Sequence, residues 1–448
     1  MPITTMDVWQ KFYQSLSELV AGSADSTSQV ISMAGSTLLI DVANADPTIS
    51  NMNIFSCGNV LPAWSPTYTP QGGLLSTYTT FLDNINLGGS INPNLQSQIN
   101  NAASAMNLSQ TNFFTVQGQA ITFWKQAQQI NPNLDFNTFV QNQFPTYIQA
   151  KNDLLAKTSA WQSLMTQAYG AGYEVIATAR NKCSSTSGAA AIDMQNAYNM
   201  AVKTGSTAPA GSGVAVLPGQ TPPAQASALV SSFAPAYGLE GFTSLYQEWQ
   251  AKSVANQQDA GPISVSGSSE AETWDKFGWD ASLNASFSEF FSIGVQGSAS
   301  YQTQTLNTKS SQFSIDVMFT GLQAVPINPG QWYDGGIVET YKTKLLPGAP
   351  QYFGTGGSMG LLPTRLIVGF EPTITLQLQN ADYASFKKNW QAQATASVNI
   401  GPFSIGNASF STYGDKGDVT FNDQQSSIVI GPVKSSLPLL LGVISTKL

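Results

Sequence analysis

The sequence predicts an α+β chain: an N-terminal helical bundle domain followed by a C-terminal antiparallel β domain, sandwich-like and carrying two similar amphipathic hairpins. Three observations predict it. Apolar residues recur at three- and four-residue steps through the first half. A charge-free stretch rich in Gly, Pro, Ala and Thr follows, from Gly205 to Gln225. From Pro262 onward the apolar period becomes two.

The first element is the clearest. Val8, Trp9, Phe12, Tyr13, Leu16, Leu19 and Val20 fall on one face of a helix. Thr4 with Asp7 resembles a weak capping box ahead of it. Residues 45–73 carry Pro47, Pro62, Pro66 and Pro70 with Gly72-Gly73, and read as an irregular excursion. Helical patterns resume over 74–82, 95–106, 114–130 and 147–179, with Asn131-Pro132 and Phe144-Pro145 as boundaries. Asp193 to Val202 adds a short helix, and Leu239 to Ala251 a last clear one. Helices of this number and length imply a bundle with its own core. The alternation Phe313, Ile315, Val317, Phe319 and its later counterparts Ile374, Leu376, Leu378 and Ile428, Ile430 mark antiparallel strands. The organisation is therefore a helical domain over 1–203, a linker or loop over 204–225, a helix leading into the sheet over 226–261, and a β domain over 262–448.

Composition removes whole classes of function. The chain has 448 residues and no histidine, so it lacks the one side chain that titrates near neutrality without perturbation. Ser-His-Asp and Cys-His nucleophile pairs and HExxH zinc helices are excluded. Cys57 and Cys183 are far apart and cannot alone supply the four ligands of a structural zinc site; they are either bridged or two buried thiols. Charged residues make up 10% of the chain, against about 25% in an ordinary soluble domain, while the hydrophobic share is 42%. Ser, Thr, Asn, Gln and Gly replace the missing charges. Such a surface repels itself little and suits self-contacts, a carbohydrate-rich setting, or later entry into a membrane. The net charge of −8 and the scattered basic residues rule out nucleic acid as a partner and disfavour electrostatic docking on anionic lipid. No Sec-type signal peptide and no spanning helix is read, so the expected location is soluble, cytoplasmic, or outside the cell by a non-classical route.

Two segments of the β domain match each other. The first holds Ala281-Ser-Leu-Asn284, Phe291-Ser-Ile-Gly294 and Ala299-Ser-Tyr301; the second holds Ala396-Ser-Val-Asn399, Phe403-Ser-Ile-Gly406 and Ala408-Ser-Phe410. Turns are expected at 288–290 and at Gly401-Pro402. In each hairpin one face is apolar and the other is uncharged and polar. The apolar candidates are Leu283, Phe287, Phe291, Ile293 and Val295 in the first, and Val398, Ile400, Phe403, Ile405 and Phe410 in the second. A tilted membrane-spanning strand takes about 9–11 residues, which 291–303, 391–400 and 403–413 can supply. One such face would meet lipid and the other line a lumen. The same alternation also serves a half-exposed sheet in any sandwich, and long neutral strands with few Lys gatekeepers invite edge-to-edge assembly.

This two-hairpin plan is similar to that of perforin-like and cholesterol-dependent pore formers. The likeness is architectural. Their aromatic-Gly-Thr-His signature is absent here, so no residue role is carried over.

Two aromatic-acidic loops offer a different chemistry. Trp279 with Asp280, and Trp332 with Tyr333 and Asp334, pair rings that can stack on sugars with carboxylates that can bind their hydroxyls; strand-end anchoring of the core is the plainer use. Asp275, Asp280, Glu289, Asp334, Glu339 and Glu371 show no spacing that points to a glycosidase pair. Asp415 to Asp418 with Asn422 and Asp423 read as a polar turn more readily than as a calcium loop. The sequence therefore predicts a non-enzymatic, pore-forming-like protein without cofactor or metal. Its partner is a lipid membrane or further copies of itself. The alternatives are a self-assembling structural protein and a carbohydrate-binding module.

Overall fold

The computed structural model describes residues 4–20, 28–88, 92–131, 134, 136–184, 192–193, 233–258, 260–267, 271–280, 287–296, 301–305, 313–392, 396–406, 419–434 and 437–448. Among them ten α-helices and antiparallel sheets give a mixed α+β architecture. In chain order the elements begin with α1 (Thr5–Val20), β1 (Gln29–Met33), α2 (Pro47–Gly58), β2 (Val60–Pro62), β3 (Pro70–Gly73) and α3 (Leu74–Asp83). Then come α4 (Pro93–Ile130), α5 (Phe136–Asn142), α6 (Pro145–Tyr169) and α7 (Ala171–Ser184). Short strands β4 (Ile192–Asp193), β5 (Phe233–Ala234) and β6 (Tyr237–Leu239) precede α8 (Phe242–Val254), β7 (Ala260–Ser266), β8 (Phe291–Gln296) and β9 (Tyr301–Thr305). The last part holds β10 (Ser314–Pro329), α9 (Gly335–Tyr341), β11 (Leu361–Gln377), α10 (Asn380–Ala392), β12 (Ala396–Ile400), β13 (Phe403–Gly406), β14 (Val419–Asn422), β15 (Ser427–Ile430) and β16 (Leu439–Lys447).

The chain forms two compact units that are not the expected consecutive halves. One comprises Met1–Thr77, Ala189–Gly330 and Pro350–Leu448; the other comprises Tyr78–Gly188 and Gln331–Ala349. The first 77 residues thus join the sheets and not the helices. The reason is the apolar face of α1: Val8, Trp9, Phe12, Tyr13 and Leu16 are buried in one core with residues of β7, β8, β10 and β13. The capping pair ahead of α1 is reciprocal, the Thr4 amide donating to Asp7 Oδ2 at 2.7 Å and the Asp7 amide to Thr4 Oγ1 at 3.2 Å.

In the first unit β10 and β11 form a long antiparallel pair, from Ser314 opposite Gln377 to Pro326 opposite Arg365. The outer edge of β11 meets β16 along its first half and β15 along its second. That of β10 meets β7 and then β6. The partners change near Glu371, a buried carboxylate with φ of +45°. It accepts from Ser253 Oγ at 2.8 Å and from Lys434 Nζ at 3.0 Å, which ties the joint to α8. Away from the main core, Trp249 of α8 stacks on Phe370 beside Gly321.

In the second unit α4 packs on α6. Val116, Ala120 and Trp124 of α4 meet Phe139 and Val140 of α5 and Tyr147 and Ala150 of α6 in a separate core. The patterns at 95–106 and 114–130 are one helix of 38 residues, because no Gly or Pro stands between them to break it. Arg180 Nη1 pairs with Asp83 Oδ1 at 2.9 Å and lies over the Trp161 ring. The excursion at 45–73 contains α2, started by Asp46 as N-cap and Pro47 in the first turn. The linker at 204–225 and most of the short helix placed at 193–202 lie outside the described residues; Ile192–Asp193 is a strand. Both cysteines are free and buried. Burial pushes the Cys57 thiol up to about 12 and the Cys183 thiol up to about 11.

Candidate functional site

The described strands of the matched segments come together. Strands β8, β9, β12 and β13 form a four-stranded antiparallel sheet in the order β13-β12-β8-β9. The two F-S-I-G strands flank the A-S-V-N strand: Val398 lies opposite Ile405 on one side and Ile293 on the other, and Ile400 opposite Phe403 and Phe291. β12 and β9 occupy the two edges of β8; of the arm read at 281–288, residues 281–286 lie outside the described residues. The described residues just ahead of β8 are drawn to α1. Trp9 Nε1 donates to the Ser288 carbonyl at 2.8 Å, and its ring stacks on Phe287 at 4.7 Å and meets Phe290 edge-on at 4.8 Å.

One face of this sheet is closed. Phe291, Val398, Ile400, Phe403 and Ile405 are buried in the shared core. Phe403 meets Phe12 of α1 at 6.3 Å and Phe319 of β10 at 6.1 Å; Phe291 meets Phe386 of α10 at 5.8 Å. The alternate residues are uncharged: Asn399 Nδ2 donates to Ser292 Oγ at 3.1 Å, and Ser404 is half-buried. The β12–β13 turn requires its glycine. Gly401 has φ of +55°, and a Cβ there would lie 3.0 Å from the Phe290 ring. Thr37 fastens the same turn, donating to the Pro402 carbonyl at 2.9 Å and accepting from the Ser404 amide at 3.0 Å.

The expected long arm at 391–400 is shortened. Residues 391 and 392 end α10, whose Tyr383, Phe386 and Trp390 are buried at helical spacing. Strand β12 has 5 residues. Leu283 and Phe410 lie outside the described residues, and for Ile293 and Val295 only the backbone register is described.

The aromatic-acidic loops do not offer open ring faces. Trp279 is 3% exposed and donates through Nε1 to Tyr13 Oη at 3.1 Å. Asp280 is exposed and accepts from Trp64 Nε1 at 3.2 Å. Trp332 is also 3% exposed, and Tyr333 is half-buried with its ring 4.8 Å from that of Tyr78. Asp334 is exposed and caps α9, accepting from the Gly336 amide at 2.9 Å and the Ile337 amide at 3.3 Å. The rings of Trp279 and Trp332 are packed into the protein interior. Asp415 to Asp418 lie outside the described residues. Asp423 is already engaged: Lys387 bonds both its oxygens, at 2.6 and 2.8 Å, and Tyr383 one of them at 2.6 Å. Both hold its carboxyl below the usual carboxylate range. Among the described residues no group of three His, Cys, Asp or Glu could hold a metal ion, and no helix is long and apolar enough to cross a membrane.

What sequence reading missed is the cover. Helix α10 and the Trp9 contacts were legible as Tyr383, Phe386 and Trp390 at three- and four-residue steps, and as the apolar face of α1. No local signal says that these two helices pack on the same small sheet. Protein-family models, curated proteins and solved structures contain no match to this chain.

Proposed function

We propose that this chain is a non-enzymatic, membrane-active protein of pore-forming type. In this reading the small sheet leaves its core, and its apolar face passes from α1 and α10 to lipid. One observation carries it: the described strands of the two matched segments, β8 of the first and β12 and β13 of the second, lie side by side in one sheet with apolar and uncharged polar residues alternating along them. Placing charges in the hydrocarbon costs about 2–4 kcal/mol each at mid-depth, and this sheet holds none to place. Within the described residues its strands have 4 to 6 residues, against the roughly 9–11 of a spanning arm. In this reading an inserted arm draws also on the chain that flanks them, including the end of α10.

The sign of the lipid dependence follows from charge. A chain of net charge −8 gains nothing from an anionic surface, so the driving force is burial of apolar area. Dye release from phosphatidylcholine vesicles is the measurement. Release is expected, at least as fast as from vesicles containing phosphatidylserine, with ring-shaped particles in negative stain. Intact vesicles beside filaments or lattices in a lipid-free control would overturn the reading in favour of self-assembly.

A further inference from the structure

The second unit contains a cleft of about 340 Å³ that the small sheet does not use. One wall is α7, which presents Glu174, Thr178 and Lys182 at successive four-residue steps, on one face of the helix. The other wall is the loop ahead of α9, with Gln331, Trp332 and Asp334. Val175, Ala179 and Ile337 supply apolar lining between these polar groups.

Both walls are held in place. The loop is pinned at Asp334, whose amide donates to Tyr78 Oη at 3.2 Å while its carbonyl accepts from the same hydroxyl at 3.4 Å. The Trp332 carbonyl accepts from Cys183 Sγ, on α7 itself, at 3.6 Å. Asp334 further fixes the start of α9 through its side chain. A wall fixed in this way loses little freedom when a ligand arrives.

We infer that this cleft binds a small neutral saccharide. Its size sits at the low end of ligand pockets, which span roughly 300–1,000 Å³, and excludes a folded partner. Its lining mixes acceptors with donors: two carboxylates, an ammonium, an amide and a hydroxyl. Sugar hydroxyls both donate and accept, so they satisfy such a mixture without carrying charge. With two acidic groups against one basic group, the lining repels phosphate and sulfate. The apolar groups face the C–H surfaces of a pyranose ring. Trp332 serves as a fixed wall, since its ring faces are covered. This assignment is independent of the small sheet: a sugar is bound here whether or not the sheet enters lipid.

Saturation-transfer NMR on the full chain tests it, with glucose, galactose, mannose and N-acetylglucosamine each at millimolar concentration. At least one should receive saturation from the protein. Lys182→Ala and Gln331→Ala, both at exposed positions, should each weaken that binding about tenfold with no change in thermal melting. No transfer to any of the four sugars would overturn the proposal. So would binding that both variants retain at full strength, since it would place the sugar elsewhere.

Discussion

Replacing Trp9 with alanine is expected to lower the unfolding free energy by about 3–5 kcal/mol, the usual cost of truncating a large core aromatic. Trp9 is fully buried and performs three tasks at once. It stacks on Phe287, meets Phe290 and Phe12 edge-on, and satisfies the Ser288 carbonyl through its indole N–H. Alanine opens a cavity and removes that bond; phenylalanine removes the bond and only part of the ring. The midpoint of denaturant unfolding should therefore fall in the order wild type, Trp9→Phe, Trp9→Ala. Equal midpoints for the two variants would show that the ring volume contributes nothing, contrary to this packing.

Gly321→Ala should be nearly as damaging, for the opposite reason. A Cβ at Gly321 would lie 2.2 Å from the ring carbons of Trp249. That ring is 3% exposed and stacked on Phe370. It cannot swing aside as a flexible chain end would, so overpacking of about 1–3 kcal/mol or more is expected. A double-mutant cycle isolates the clash. In a Trp249→Ala background the methyl group has room, and Gly321→Ala should then cost almost nothing in the same unfolding assay. A cost that persists in that background would place the strain in the backbone.

The elements were legible from the sequence where periodicity was strong and local. The α1 face, the capping pair Thr4–Asp7, and the alternating strands around Phe313–Phe319 and Ile374–Leu378 follow from spacing alone. Asp46-Pro47 was a readable helix start, hidden among the prolines that surround it. The hairpin arms were harder. Ala392 and Ala394 continue an alternation that reads as strand, yet Tyr383, Phe386 and Trp390 extend a helical face through Ala392. Two periods overlap at that point, and tertiary burial decides between them. The pairing of β8 was not legible at all. The sheet joins β8 to β12, more than a hundred residues later. Long-range pairing leaves no local trace. The same holds for the division into units, which groups α1 with the sheets through a buried face and brings Gln331–Ala349 to the helices.

For the candidate site, the apolar set Phe291, Val398, Ile400, Phe403 and Ile405 was legible as one face. Its burial beneath α1 was not. This changes how the membrane reading should be tested. Val398 is 0% exposed, so Val398→Asp would unfold the core before it could report on lipid.

A reversible lock between α1 and the chain entering the small sheet shows whether the sheet must leave its core to act on a membrane. Thr5 Oγ1 donates to Glu289 Oε2 at 2.8 Å, just ahead of β8 and at the surface. Thr5→Cys and Glu289→Cys can be joined there by a short, reducible thiol cross-linker, and the native cysteines are buried and stay unreactive. Dye release from phosphatidylcholine vesicles is then followed before locking, after locking, and after reduction. Release, no release, and release restored are expected, in that order. Equal release from the locked and unlocked protein would contradict the membrane reading, since the sheet would not need to leave α1 to act on the membrane.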